Sequence, residues 1–196
     1  ETSGYAPPEP RIAPDGMLYF MTMTADQVPH LNALDAGFVE RDGWPFIGAG
    51  AQDDPYRGFG YVLGPDGTPY AWWYEGGGEP GICAQADRTV ITALGSNGRA
   101  LSGWPRAVDG VGLPPVVAAD GTVYLAGGEV GEATGPVSVI AIDRSGTTKD
   151  GWPMIVPEVS SGCPERELGL AVSPDGRAFL MLNGRTASNE GQGVII

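Results

Sequence analysis

The residues of this chain that could do chemistry are carboxylates and a few arginines placed between apolar runs. Asp53 and Asp54 stand side by side, with Arg57 close behind. Asp26 precedes His30, the single histidine. Glu75, Glu79, Asp87 and Arg88 surround Cys83, and Glu129 and Glu132 follow later. Glu158, Glu165, Arg166 and Glu167 surround Cys163. Paired carboxylates can serve as general acid and base, and clustered carboxylate oxygens are the hard ligands that calcium takes. Neither pattern is complete. Adjacent residues of an extended chain point apart, so Asp53 and Asp54 read as a solvated loop. No Asp-x-Asp-x-Asp-Gly calcium loop occurs. His30 alone makes no triad, and Ser160-Ser161 lacks the Gly-x-Ser-x-Gly frame of a hydrolase nucleophile. Gly76-Gly77-Gly78 lacks the Lys-Ser/Thr that completes a phosphate loop. No catalytic residue and no cofactor are predicted; calcium is the one ion that the acidic loops suit.

Whatever these side chains do, a repeated element must position them. Asp-Gly followed by an aromatic occurs at Asp15-Gly16…Tyr19, Asp66-Gly67…Tyr70, Asp120-Gly121…Tyr124 and Asp175-Gly176…Phe179, with Asp-to-Asp spacings of 51, 54 and 55. Gly-Trp-Pro alternates with it, at Trp44, Trp104 and Trp152. Two motifs alternating at one period indicate a supersecondary unit stacked on copies of itself. Each Asp-Gly joins two β-rich runs, and the positive φ that both residues tolerate predicts a tight hairpin. In the second unit Tyr70, Trp72 and Tyr74 share one face, and Ala71 and Trp73 the other, the period of a strand. A third run follows in each unit, then a polar loop with a glycine (Gly37, Gly98, Gly146), then Gly-Trp-Pro opening a fourth run. No stretch reads as a capped helix. The expected fold is therefore all-β: a β-propeller of four-stranded antiparallel blades, about four of them, with approximate blades at 9–58, 59–113, 114–167 and 168–196.

The tryptophan could be a stacking platform for a sugar, but its return at one place in each blade favours a structural inter-blade role for Trp44, Trp104 and Trp152. The fourth unit reaches Ile196 within its third run. Two readings follow. The chain is part of a larger ring of roughly six to eight blades, or four blades close on themselves or on a second copy, with residues 1–8 as the closing strand. The first is favoured, because third runs elsewhere continue into Ala-Leu-Asp or Ala-Ile-Asp.

Strand alternation places the loops between second and third strands, and between blades, on one face. That face collects Asp26, His30, Asp53, Asp54, Arg57, Glu75, Asp87, Arg88, Glu165 and Arg166, and loops on a rigid scaffold are where binding residues concentrate. Both cysteines fall there too. A bridge between them is topologically permitted in an oxidising compartment, without sequence fixing its geometry. Formal net charge is −13, which excludes nucleic acid and anionic membrane surfaces as natural partners. With 42% hydrophobic residues in short regular runs, disorder is excluded as well. No run approaches a membrane span.

The segment Val139-Ile140-Ala141-Ile142-Asp143-Arg144-Ser145-Gly146, with Asp150-Gly151-Trp152-Pro153 after it, resembles the repeat of PQQ-like (quinoprotein-type) β-propellers. Leu31 to Pro45 and Val90 to Pro105 carry the same pattern. The resemblance implies the fold over nearly the whole chain and a place outside the cytoplasm (secreted, periplasmic or cell surface). No quinone-contact motif maps onto this sequence, so a non-catalytic member is expected. The function expected is binding or scaffolding, with a protein or glycan met by the acidic loop face. The alternative is part of an enzyme, quinoprotein-type oxidoreductase or hydrolase, whose catalytic residues lie elsewhere.

Overall fold

The computed structural model describes residues 9–26, 28–48, 58–76, 87–128, 134–160, 167–183 and 192–195. They form four antiparallel sheets in chain order, with no helix among the described residues. The first holds β1 (Arg11–Ile12), β2 (Leu18–Met23) and β3 (Pro29–Leu34). The second runs in order β4 (Phe59–Leu63), β5 (Pro69–Glu75), β6 (Arg88–Ala93) and β7 (Arg106–Asp109). The third combines β8 (Val111–Gly112), β9 (Val116–Val117), β10 (Val123–Gly128), β11 (Thr134–Ile142) and β12 (Met154–Ser160). The last is β13 (Glu167–Val172), β14 (Ala178–Asn183) and β15 (Gln192–Ile195). These sheets are the blades of a β-propeller.

Two details of the blades depart from the regular pattern. Among the described residues the first blade has three strands, and Phe46 is joined to Leu31 by an isolated bridge. In the third blade the first strand is split into β8 and β9, which pair separately with β10. Pro114 and Pro115 lie between them, and neither has an N–H to continue a ladder.

The Asp-Gly turn also differs from the expected one. Only its glycine has positive φ, +87° at Gly16, +86° at Gly67, +83° at Gly121 and +85° at Gly176. Each glycine N–H donates to the residue three before it, and that residue's N–H donates to the residue after the glycine. This is a type I turn closed by a left-handed glycine, the three-residue hairpin loop. The aspartate's contribution is its carboxylate. Asp15, Asp66 and Asp120 accept the N–H two residues on, at 3.1, 3.1 and 2.8 Å. At Asp120 the Thr122 N–H is the main cause that holds the carboxyl below its ordinary range. At Asp66 partial burial pushes upward, but the Thr68 hydrogen bonds and Arg144 outweigh it, and the net direction is down.

The polar loop after the third strand repeats just as closely. Asp35 and Asp143 each accept two backbone N–H groups, from Gly37 and Val39 and from Ser145 and Thr147. In the second blade glycine replaces that aspartate, and Asn97 accepts from Arg99 instead. The left-handed position of this loop holds Gly98 and Gly146 in blades two and three, but Phe38, with φ +60°, in blade one. Gly37, the glycine aligned with them in the sequence, therefore occupies a different place.

Burial shows how the blades stack. Along β5, Ala71 and Trp73 pack toward the first blade with Tyr19, Leu31 and Trp44. Tyr70 and Trp72 pack toward the third with Trp104, Val123 and Leu125. Both faces of one sheet are thus core, a property of blades stacked side by side. The third and fourth blades meet through Tyr124, Ala126, Val139 and Trp152 on one side and Ala178, Leu180 and Leu170 on the other.

Tyr61 ties the first seam from the second blade. Its hydroxyl lies 2.8 Å from the carbonyls of both Glu9 and Tyr19 and donates its one proton between them. Burial, the largest cause, pushes its pKa up to about 12, against smaller opposing effects from Arg11. A phenol whose folded pKa is raised contributes stability that is complete below about pH 10 and lost as pH climbs through the folded value. Alkaline unfolding is therefore expected between about pH 10 and 12, and Tyr61→Phe should remove that pH-dependent part while costing about 1 kcal/mol at neutral pH. Denaturant melts at pH 8 and 11 check this. An unchanged pH slope in the variant would assign the alkaline loss elsewhere.

Candidate functional site

The described part of the acidic loop face is centred on the second blade. Glu75 is the last residue of β5 and Arg88 the first of β6, and they are register partners across the ladder. Arg88 in turn pairs in register with Asp109 at the end of β7. Three adjacent strands therefore end in an acid–base–acid row. The Arg88 Nε donates to Glu75 Oε2 at 2.8 Å, and its guanidinium forms an ion pair with the same carboxylate. The other oxygen, Oε1, accepts the indole N–H of Trp73 at 2.9 Å. Both carboxylate oxygens of Glu75 are thus engaged, one by a cation and one by a buried ring.

Asp87 completes this end of the blade. Its N–H donates to the Glu75 carbonyl at 3.0 Å and its carbonyl accepts from Gly110 at 2.8 Å. Its carboxylate lies where a side chain at Gly76 would stand, so only glycine fits at Gly76, whose φ is +72°. Buried Thr89 donates its hydroxyl proton to the Gly110 carbonyl at 2.9 Å. The backbone here is tied strand to strand.

The other candidates separate. Asp26 is exposed in the turn after β2, which Thr24 closes by accepting the Val28 N–H at 3.0 Å. His30 sits within β3, opposite Thr22, on the sheet rather than in the loop. Its neighbour Asn32 donates to Thr22 Oγ1 at 2.9 Å and approaches the Phe20 carbonyl at 3.2 Å. Asp53, Asp54, Arg57, Glu165 and Arg166 lie outside the described residues, as do Glu79, Glu129, Glu132, Cys83 and Cys163. Among the described residues no group of three metal-capable side chains converges.

Trp73 and Asp109 belong to the site, and neither stood out in the sequence. Trp73 reads there as strand packing. Asp109 becomes visible only once β7 is set in register against β6, which no local pattern supplies.

The tryptophans of Gly-Trp-Pro lie on the opposite side of the blades, at the seams. Trp44, Trp104 and Trp152 each meet the aromatic of their own Asp-Gly hairpin (Tyr19, Tyr70, Tyr124) edge-on at 5.5 Å. Trp44 Nε1 donates to the Ser96 carbonyl of the next blade at 3.1 Å, and Trp104 Nε1 to that of Arg144 at 3.3 Å. All three Trp–Pro bonds are cis.

Two solved structures show a low similarity to this chain. One is regucalcin, a calcium-binding protein from Agrobacterium tumefaciens, at 15% identity and TM-score 0.37, covering 88% of this chain and 52% of that one. The other is a GH43 endo-arabinanase from Bacillus licheniformis, at 16% identity and TM-score 0.36, covering 96% and 71%. The chain spans about half the length of the first. No protein-family model matches the sequence, and no curated protein matches it. The fold assignment rests on the sheets and seams themselves.

Proposed function

We propose that this chain is a non-enzymatic binding or scaffolding module that works outside the cytoplasm and contacts a protein or glycan through its acidic loop face. The observation that carries the proposal is the state of Glu75. Its two oxygens are held by Arg88 and Trp73, so the carboxylate is fixed in place as part of a shaped surface. A rigid blade end rimmed by charge, under a net charge of −13, suits a partner that presents cationic or hydroxyl-rich groups. Support for the extracytoplasmic placement is the resemblance of the repeat to PQQ-like propellers, and no quinone chemistry is placed on it. Calcium is the ion compatible with the same face.

Surface-binding measurements against a panel of basic and acidic peptides and of neutral and amino-substituted oligosaccharides test this. Binding to a cationic or carbohydrate probe is expected. For a cationic probe it should weaken about ten-fold between roughly 50 and 500 mM salt. Glu75→Gln, which removes the negative charge paired with Arg88 and so makes the face less acidic, should weaken it about five-fold, with stability changed by about 1 kcal/mol. Turnover of any panel member, or no binding to any of them, would overturn the reading. A calcium titration followed by calorimetry reports separately on the ion.

A further inference from the structure

The first seam holds a chemically labile pair of residues at the point where two backbones touch. Asn97-Gly98 lies in the loop between β6 and β7 of the second blade. The matching loop at the second seam has Ser145-Gly146, which carries no amide side chain. An asparagine followed by glycine can cyclise, because glycine has no Cβ to shield its backbone nitrogen. The Gly98 nitrogen bonds to Asn97 Cγ, the Cγ–Nδ2 bond breaks, and ammonia leaves with the proton of that N–H. Water then opens the resulting succinimide. Opening at Cγ leaves aspartate. Opening at the backbone carbonyl leaves isoaspartate, whose main chain runs through the former side chain and is longer by a methylene.

The closed seam holds the reacting groups apart. The Gly98 N–H donates to the Gly95 carbonyl at 3.0 Å, and Asn97 Oδ1 accepts the Arg99 N–H at 3.2 Å. One residue earlier, the Ser96 carbonyl accepts Trp44 Nε1 of the first blade at 3.1 Å. Gly98 is buried, with the Gly43 carbonyl and the Trp44 ring where its side chain would stand, and the Asn97 carbonyl lies where that of Gly43 would. To reach Cγ, the Gly98 nitrogen must give up Gly95, and the peptide must turn where the first blade's backbone already stands. Asn97 itself is exposed, so water reaches the ring once it forms.

We propose that Asn97 is a spontaneous deamidation site gated by the first seam, reacting when the first and second blades part at this loop, and that its isoaspartate product keeps them from closing again. Aspartate at this position retains the acceptor for the Arg99 N–H and is tolerated. Isoaspartate is not, because its added methylene falls where the backbones of Asn97-Gly98 and Gly43 already touch. A passing local opening thereby becomes permanent.

Peptide mapping by mass spectrometry, during incubation at mildly alkaline pH, follows the amide-to-acid mass gain at Asn97 and separates the two acids by retention. The chain unfolded in urea sets the ungated rate. The native chain should convert at least about ten-fold more slowly, in proportion to the time the seam stands open. Trp44→Ala uncovers Gly98 and should speed native conversion about ten-fold. Trp44→Phe keeps a ring over Gly98 and loses the donor to Ser96, and it replaces Trp44→Ala if circular dichroism shows that variant unfolded. Trp104→Ala loosens the second seam and should leave the rate at Asn97 within about two-fold. The isoaspartate form, isolated by ion exchange, should melt below both the aspartate form and the unmodified chain. A native rate equal to that in urea would overturn the proposal. So would equal acceleration by the Trp44 and Trp104 variants, which puts the gate at global unfolding, and so would an absence of conversion at Asn97 in urea. An isoaspartate form that melts with the unmodified chain would overturn the claim that the product holds the seam open.

Discussion

Trp104→Ala is expected to lower the unfolding free energy by about 3–5 kcal/mol. Three contributions add. The indole is buried between the second and third blades, in the cluster that includes Tyr70, Ile91 and Val123, so its removal leaves a cavity and forfeits its transfer from water. The edge-on contact with Tyr70, at 5.5 Å and 67°, is worth about 0.5–1.5 kcal/mol beyond area. The Nε1 bond to the Arg144 carbonyl adds about 1 kcal/mol and crosses the seam, beside the Arg144–Asp66 ion pair and the Arg106 bond to the Gly146 carbonyl. For a chain of this size the loss lowers the melting temperature by roughly 10 °C. Trp104→Phe separates the contributions, since it keeps a ring against Tyr70 and loses the donor. It should cost roughly 1–2 kcal/mol. Far-UV circular dichroism in urea reads both. A Trp104→Ala cost under about 1 kcal/mol would mean that the seam is held by something other than the indole.

How much of this was legible in the sequence differs by level. The hairpins were, because Asp-Gly between two β-rich runs has few other uses and the alternation along Tyr70–Tyr74 has only one geometric meaning. That Trp72 and Trp73 lie on opposite faces of β5 follows from that alternation; which neighbouring blade each face meets comes from the structure. The turn type was not legible. Positive φ is a property of backbone closure, and the same Asp-Gly serves a two-residue loop with both residues left-handed and a three-residue loop with only the glycine so. Pro14, Pro65 and Pro174 before the aspartate were the available signal, since proline fixes the first corner of a type I turn. Phe38 shows the converse failure. Gly37 sits one place from the left-handed position, and alignment by residue type chose the glycine over the position. At the loop face, Glu75 and Arg88 could be assigned to one side of the blades from strand direction alone. Their pairing with each other, with Trp73 and with Asp109 depends on the register of β5, β6 and β7, which is set by long-range packing and leaves no local trace.

Gly103→Ala is the second large effect, and it probes the backbone half of the same seam. Gly103 has φ +86°, where a Cβ costs about 1–2 kcal/mol from its own carbonyl. Its Cβ would also run into the Ser145 carbonyl, while that of Gly146 would run into the Gly103 carbonyl. The two backbones lie against each other across the seam, with no side chain between them to give way. Gly43 and Gly98 repeat the arrangement one seam earlier. Overpacking against rigid backbone adds about 1–3 kcal/mol, so Gly103→Ala should cost on the order of 3 kcal/mol. Gly151 is the internal control. Its φ is +85°, but a Cβ there meets no described atom within 4 Å, so Gly151→Ala carries the conformational cost alone, about 1–2 kcal/mol. The difference between the two variants isolates the close approach from the dihedral angle. Equal costs would show that the seam backbones have room to move apart. A larger cost at Gly103 means that blade spacing is set by glycine-to-backbone contact, and that the tryptophan beside each glycine fills a gap whose width the backbone has already fixed.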